Sequence, residues 1–194
     1  MRLRTIVVLF ATAVATSACA TSESGHPPPS SSAVNPAGAP KVTNPLTNTS
    51  GVEANPCTAV AVSDVEALGG KVSRTTVDDT TAGLACGWIF ADGSGSINAG
   101  FATGAKDGLG GLYARNASGS LKAFEVQPPV RGYPAVVYDD GLSGSGACAL
   151  AIGVRDDLAF IIDAQLRLGN RGMSDPCAMA TELGGDVIAH LKSS

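Results

Sequence analysis

The chain reads as an α+β protein: an antiparallel sheet of about six or seven strands, packed by two or three helices and closed by two disulfides. Three observations predict this. Every second residue is apolar through Leu158, Phe160, Ile162, Ala164 and Leu166, the mark of a half-buried strand. Helix signatures at Ser63-Asp64-Val65-Glu66 and from Pro176 onward bracket a run of strand-like segments. Four cysteines, Cys57, Cys86, Cys148 and Cys177, are spaced through the same region.

Taken in chain order, the first element is an export signal over residues 1–18. Arg2 and Arg4 make a short positive region, and Ile6 to Ala15 is an apolar stretch of ten residues. A bilayer-spanning helix needs roughly twenty, so the stretch is a signal core and not a span. Thr16-Ser17-Ala18-Cys19 follows, small residues before a Cys as in a bacterial lipobox. Cys19 is therefore the expected lipidation site, and its acyl chains the expected hold on the membrane. The competing reading is ordinary signal-peptidase cleavage at a small-x-small site.

Residues 19–54 read as the lipidated Cys and a disordered tether. Ala20 to Ala54 hold six of the chain's eleven prolines, and their only larger aliphatics are Val34, Val42, Leu46 and Val52. Such a composition does not offset its own ordering entropy. His26 falls here as a solvated linker residue. The sequons at Asn48 and Asn116 are discounted, because a lipobox implies a bacterium.

Residues 55–194 read as one α+β domain, long enough for a single core. Asn55-Pro56-Cys57 opens it with a turn. Ser63-Asp64-Val65-Glu66 has the form of a capping box for a short helix that Gly69-Gly70 stops. Strands are predicted at Val72–Val77, Leu84–Phe90 and Ser96–Thr103. A glycine-weakened helix is predicted over Asp107–Asn116, then strands at Leu121–Val126, Pro134–Tyr138, Ala147–Val154 and Leu158–Leu166. In the strand at Ala147–Val154 one face is Cys148, Leu150, Ile152 and Val154, and the other is Ala147, Ala149, Ala151 and Gly153. The small face suggests the close approach of a helix. The last helix, Pro176 to Leu191, carries Met179, Ala180, Leu183, Val187 and Leu191 on one side.

Composition excludes several functions. The 194 residues are 44% hydrophobic and 15% charged, too apolar for a disordered chain and too lightly charged for a coiled coil. A net charge of −4 gives no attraction for nucleic acid or anionic lipid. Aromatics at 5% argue against base-stacking platforms and sugar-binding strips.

Five cysteines divide as one plus four. With Cys19 in the anchor, the remaining four in an oxidising compartment read as two disulfides. Four cysteines allow three connectivities. Cys57–Cys86 and Cys148–Cys177 are favoured, because each joins the start of a helix to a nearby strand. Metal binding is the rival reading, but the close ligand pairs of a zinc site are missing from the sequence.

No catalytic, metal or cofactor signature emerges. His190, the domain's single His, falls on the apolar stripe of the last helix, as a packed or fraying residue. A triad with Asp186 would need a nucleophile elbow, and Gly141-Leu142-Ser143-Gly144-Ser145-Gly146 breaks that pattern, reading instead as a loop. Asp139-Asp140-Gly141 lacks the spaced ligands of a calcium loop, and Gly108-Leu109-Gly110-Gly111 lacks the spacing of a phosphate cradle. Trp88 shares a strand face with Cys86 and is expected to pack on the disulfide. Tyr133, before Pro134, reads as a loop-exit residue available for surface contact.

Together the lipobox, the Ser/Pro-rich tether, Asn55-Pro56-Cys57 and Cys86-Gly87-Trp88 form a recognisable set. Gly132-Tyr133-Pro134-Ala135-Val136, Cys148 and Asp175-Pro176-Cys177 complete it. The set resembles the actinobacterial lipoprotein family of domain of unknown function 3558, which includes mycobacterial cell-wall lipoproteins. The resemblance covers about Asn55 to Leu191 and implies envelope location and paired disulfides, with no catalytic residues. The expected function is a non-catalytic module on the extracytoplasmic face of the cell membrane, binding a protein, peptide or lipid partner. The alternatives are a hydrolase or transferase acting on cell-wall material, and a lipid carrier with an apolar cavity.

Overall fold

The computed structural model describes residues 37–141 and 144–193. The expected signal, Cys19, His26 and Ser143 lie outside the described residues. Among the described residues seven strands form one sheet: β1 (Val72–Thr80), β2 (Gly83–Phe90), β3 (Gly95–Phe101), β4 (Ala123–Val130), β5 (Tyr133–Asp139), β6 (Ala147–Arg155) and β7 (Leu158–Leu166). Their order is β1-β2-β3-β7-β6-β5-β4, and every neighbouring pair is antiparallel. The first three strands make a meander. The chain then crosses to the far edge and returns as a second meander, which sets β7 against β3 in the middle. The two edges differ in kind: β4 contains Pro128 and Pro129 at a register shift, whereas β1 runs nine residues without proline.

Among the described residues four helices accompany the sheet, against the two or three expected: α1 (Ser50–Ala54), α2 (Val62–Gly69), α3 (Gly110–Ala117) and α4 (Pro176–Ser193). The additional one, α1, lies in the stretch read as tether. That boundary moves. Ala39 is fully buried, Leu46 and Val52 are buried, and Val42 packs against the core. The Leu46 N–H donates to the Val154 carbonyl at 3.0 Å, and the Val42 N–H donates to Asp156 Oδ1 at 2.9 Å. Arg155 reaches across to donate to Thr49 Oγ1 at 3.1 Å and sits 4.0 Å from Glu53. Composition judges the segment alone, but its few aliphatics fill gaps on a core already formed by other elements. A short segment docked on existing structure needs fewer apolar residues than one that must fold by itself.

The helix caps follow sequence chemistry only in part. No capping box forms at α2. The helix starts two residues early, at Val62, with Ala61 at the cap in place of Ser63 and no side-chain hydrogen bond. Glu66 is used elsewhere, accepting from the Val72 N–H at 3.0 Å and so fixing the turn into β1. Gly70 does stop α2, at a φ of 112° that a residue with a side chain adopts only under strain. At α4, Asp175 accepts from the Ala178 N–H at 2.9 Å, capping the helix just ahead of Pro176.

Alternation along each strand assigns the two faces. Trp88, Phe90, Phe101, Leu150, Ile152, Phe160 and Ile162 point to one face, where they meet Leu183, Ile188 and Leu191 of α4 and Val65 of α2. Phe101 and Phe160 pack edge to face at 5.0 Å. Each such side chain contributes about 1.5–3 kcal/mol by leaving water, and this layer carries most of the burial. Cys86 and Trp88 are both fully buried on this face, as their spacing on one strand requires.

The opposite face is covered over one half only. There Leu109 and Leu112 of α3 pack with Val136, Ala151 and Ala159, and Tyr113 meets Phe124 edge to face at 4.9 Å. Gly153 and Ala151 allow this approach: a Cβ on Gly153 would stand 3.0 Å from the Leu109 side chain. This is the helix that the small face of β6 anticipated. Over β1, β2, β3 and the adjoining part of β7 the same face is left open.

The disulfides pair Cys57 with Cys86 and Cys148 with Cys177, with Cα–Cα distances of 4.8 and 5.3 Å. One ties the segment before α2 to β2, and the other ties the first turn of α4 to β6.

Candidate functional site

The groups singled out from sequence for chemistry are not brought together. His190 is exposed near the end of α4, a correction to its expected place on the apolar stripe. At that end the buried arc passes through Val187, Ile188 and Leu191, and His190 falls beyond its edge. Asp186 lies 3.8 Å from Arg131 in a half-exposed ion pair. Gly144 and Ser145 are exposed in the β5–β6 loop. Asp139 Oδ1 accepts from the Gly141 N–H at 2.6 Å, a local turn contact. Among the described residues no group of three His, Cys, Asp or Glu side chains is placed to hold a metal. Tyr133 is buried, not a surface contact residue, and Lys192 Nζ stands 4.8 Å over its ring. It is turned inward because it begins β5 on the covered face, beside Val130.

The arrangement that does offer a site is the open half of the outer face. Register pairs Thr76 with Gly87, Gly87 with Asn98, Asn98 with Asp163, Asp163 with Ala149 and Ala149 with Tyr138. These six residues therefore form one row across the strands, all on the same face. In the next row Asp78 pairs with Ala85, and Gly100 with Ile161. Small residues in the middle and larger ones at the ends make a trough of about 400 Å³. Ala85, Gly100, Ile161, Asn98 and Asp163 line its floor, the Thr80–Gly83 turn walls one end, and Tyr138 and Asp140 wall the other. That volume lies within the range of small-ligand sites.

Gly100 is required here by close approach to backbone, and Gly87 leaves a point that side-chain oxygens surround. A Cβ at Gly100 would fall onto the Leu84 carbonyl oxygen and stand 2.9 Å from the Ala85 Cα. A Cβ at Gly87 would stand 2.6 Å from Thr76 Oγ1 and 2.9 Å from both Asn98 Oδ1 and Asp78 Oδ2. Three oxygens thus converge above Gly87. Within that set the Thr76 hydroxyl donates to Asp78 Oδ2 at 3.0 Å. On β7, Gln165 Nε2 donates to Asp163 Oδ1 at 2.9 Å and orients that carboxylate.

Burial pushes the Tyr138 hydroxyl up to about 12, helped by the charges of Asp140 and Asp163 and opposed by Arg115. At neutral pH it is a protonated donor set beside two carboxylates. The trough presents acceptors on its floor, a donor at one wall and aliphatic surface between them. That is the equipment of a binding site.

Apart from Asp140, weighed and set aside as a calcium ligand, none of these residues stood out in the sequence on chemical grounds. A usable signal was present in Ala85 and Gly87 on β2 and Ser96, Asn98 and Gly100 on β3. In both strands a small or polar set alternates with a wholly buried one. The alternation shows a half-open sheet, but only register brings the two sets side by side.

No curated protein and no solved structure matches the chain. The family model described as protein of unknown function (DUF3558) matches residues 14–190, and the chain belongs to that family.

Proposed function

We propose that the chain is an exported lipoprotein of the actinobacterial, mycobacterial-type envelope class, anchored through Cys19 on the extracytoplasmic face of the cell membrane. Its domain acts as a non-catalytic module that binds an envelope partner through the open half of the sheet. The single observation that carries the reading is the trough, a concave, polar-floored surface on a rigid sheet whose other face is filled with core. The cavity lies on that outer face, while Trp88, Phe90, Phe160 and Leu183 fill the space between sheet and α4. This supports a surface-binding module over a carrier with a lipid enclosed in its core. Two disulfides suit an oxidising compartment, in keeping with the apolar leader and the small residues before Cys19.

Two measurements on the full chain in its native host test this. Cys19→Ala should move the protein from the membrane fraction to the soluble fraction, and unchanged membrane retention would refute the anchor. A photo-crosslinking side chain at Ala85, in the trough, should capture envelope material that the same side chain at Ala114, exposed on α3, does not. Equal capture at both positions, or none at Ala85, would refute the binding face.

A further inference from the structure

We infer that the trough binds a small aliphatic amine, with its ammonium group seated against the oxygens of Asn98 and Asp163. This deepens the binding-module reading and rests on it.

Thr76 Oγ1, Asn98 Oδ1 and Asp78 Oδ2 surround a point where no side chain stands. The Asn98 side chain makes no hydrogen bond among the described residues, and one strand farther its register partner Asp163 presents a second carboxylate. A group with several N–H donors and a positive charge satisfies such a set, and an anion or an ether does not.

The charges facing the trough agree. Asp140 and Asp163 line it, and Asp78 stands beside it, paired with Ala85. Three cations lie at its margins: Arg115, close enough to act on Tyr138, Arg74, beside Ile89 in the neighbouring row, and Lys122, whose ammonium lies near Gly141. None is ion-paired with these carboxylates among the described residues. The field over the floor is therefore negative. Ala85, Ala102 and Ile161 supply aliphatic lining between the oxygens, which suits a short hydrocarbon body. Walls at both ends confine about 400 Å³, room for a small molecule more than for a continuous chain. An alkylamine carries its charge at neutral pH, its pKa being near that of lysine, about 10.4.

The test uses the full-length chain in detergent, with isotope-labelled Ala and Ile methyl groups and 1,5-diaminopentane as probe. The expected result is saturable shifts at Ala85 and Ile161 with none at Ala180 in the core. Binding should weaken as salt rises, and at least tenfold in Asp163→Asn, with Asp140→Asn as a second variant that leaves the sheet floor intact. Asp92→Asn, outside the trough, should bind as the parent does. Shifts given equally by glutarate, of the same length and opposite charge, would overturn the inference while leaving the binding-module reading standing. Binding of a lysine-containing peptide without binding of the free diamine would overturn the small-ligand assignment. No response to any probe would overturn the amine, and the Ala85 crosslinking result decides separately whether the face binds at all.

Discussion

Removing the two disulfides one at a time gives a test in which global cost and local consequence come apart. Each bridge spans 29 residues of sequence. In the chain-entropy model, equal loops restrict the unfolded chain equally, by about 3.5 kcal/mol each at 25 °C. The loops are separate in sequence, so the two terms should add, to about 7 kcal/mol, comparable with the whole stability of many domains. Cys57→Ala/Cys86→Ala and Cys148→Ala/Cys177→Ala should therefore lower stability by similar amounts in urea titrations followed by circular dichroism. In a chain of this length that corresponds to roughly 7–14 °C in Tm. The quadruple variant should be largely unfolded at 37 °C. Local effects should differ. Without Cys57–Cys86, amide exchange should accelerate over residues 50–58, which form only short helical turns of five and three residues. Without Cys148–Cys177, α4 should stay protected, because Met179, Leu183, Val187, Ile188 and Leu191 keep it on the sheet. If one pair costs less than about 1 kcal/mol while the other costs its full amount, the unfolded-state account is wrong for this protein. In that case native contacts would decide.

Three further outcomes follow from the same structure. Beginning the chain at Asn55 should lower stability by about 2–4 kcal/mol relative to beginning it at Ala37, because the buried Leu46 and Val52 leave the core; equal Tm values for the two chains would restore the tether boundary at Ala54. Leu183→Ala, at a fully buried position in the core, should cost about 2–5 kcal/mol in urea denaturation, and a loss under 1 kcal/mol would place α4 loosely on the sheet. Burial raises the hydroxyl pKa values of Tyr113, Tyr133 and Tyr138, the last to about 12, so the unfolded chain loses these protons first as pH rises. Stability should be fully present below pH about 10 and fall between about 10 and 12; Tyr138→Phe should flatten that fall, and an unchanged profile would deny the phenol its buried place.

How much was legible in sequence depends on how local each feature is. Alternation is a property of one strand, so Leu158–Leu166 and Ala147–Val154 are found at or within a residue of their bounds, with the correct faces inward. The small face of β6 announces α3, because a helix approaches only where side chains are short. The disulfide pairing is readable because each cysteine sits at the start of a helical turn or on a neighbouring strand.

What the tertiary structure alone decided is everything set by distance across the chain. Whether Leu46 and Val52 are ordered depends on a surface more than 90 residues away at Val154. The exposure of His190 depends on where α4 meets the sheet, not on its place on a helical wheel. The trough depends on the crossover that sends β4 to the far edge, which lets α3 cover one half of the outer face and leave the other open. Thr76, Gly87, Asn98, Asp163 and Tyr138 lie far apart in sequence and adjacent in space because antiparallel register places them so. Side-chain periodicity is written into each strand, but pairing is chosen by the free energy of the whole sheet.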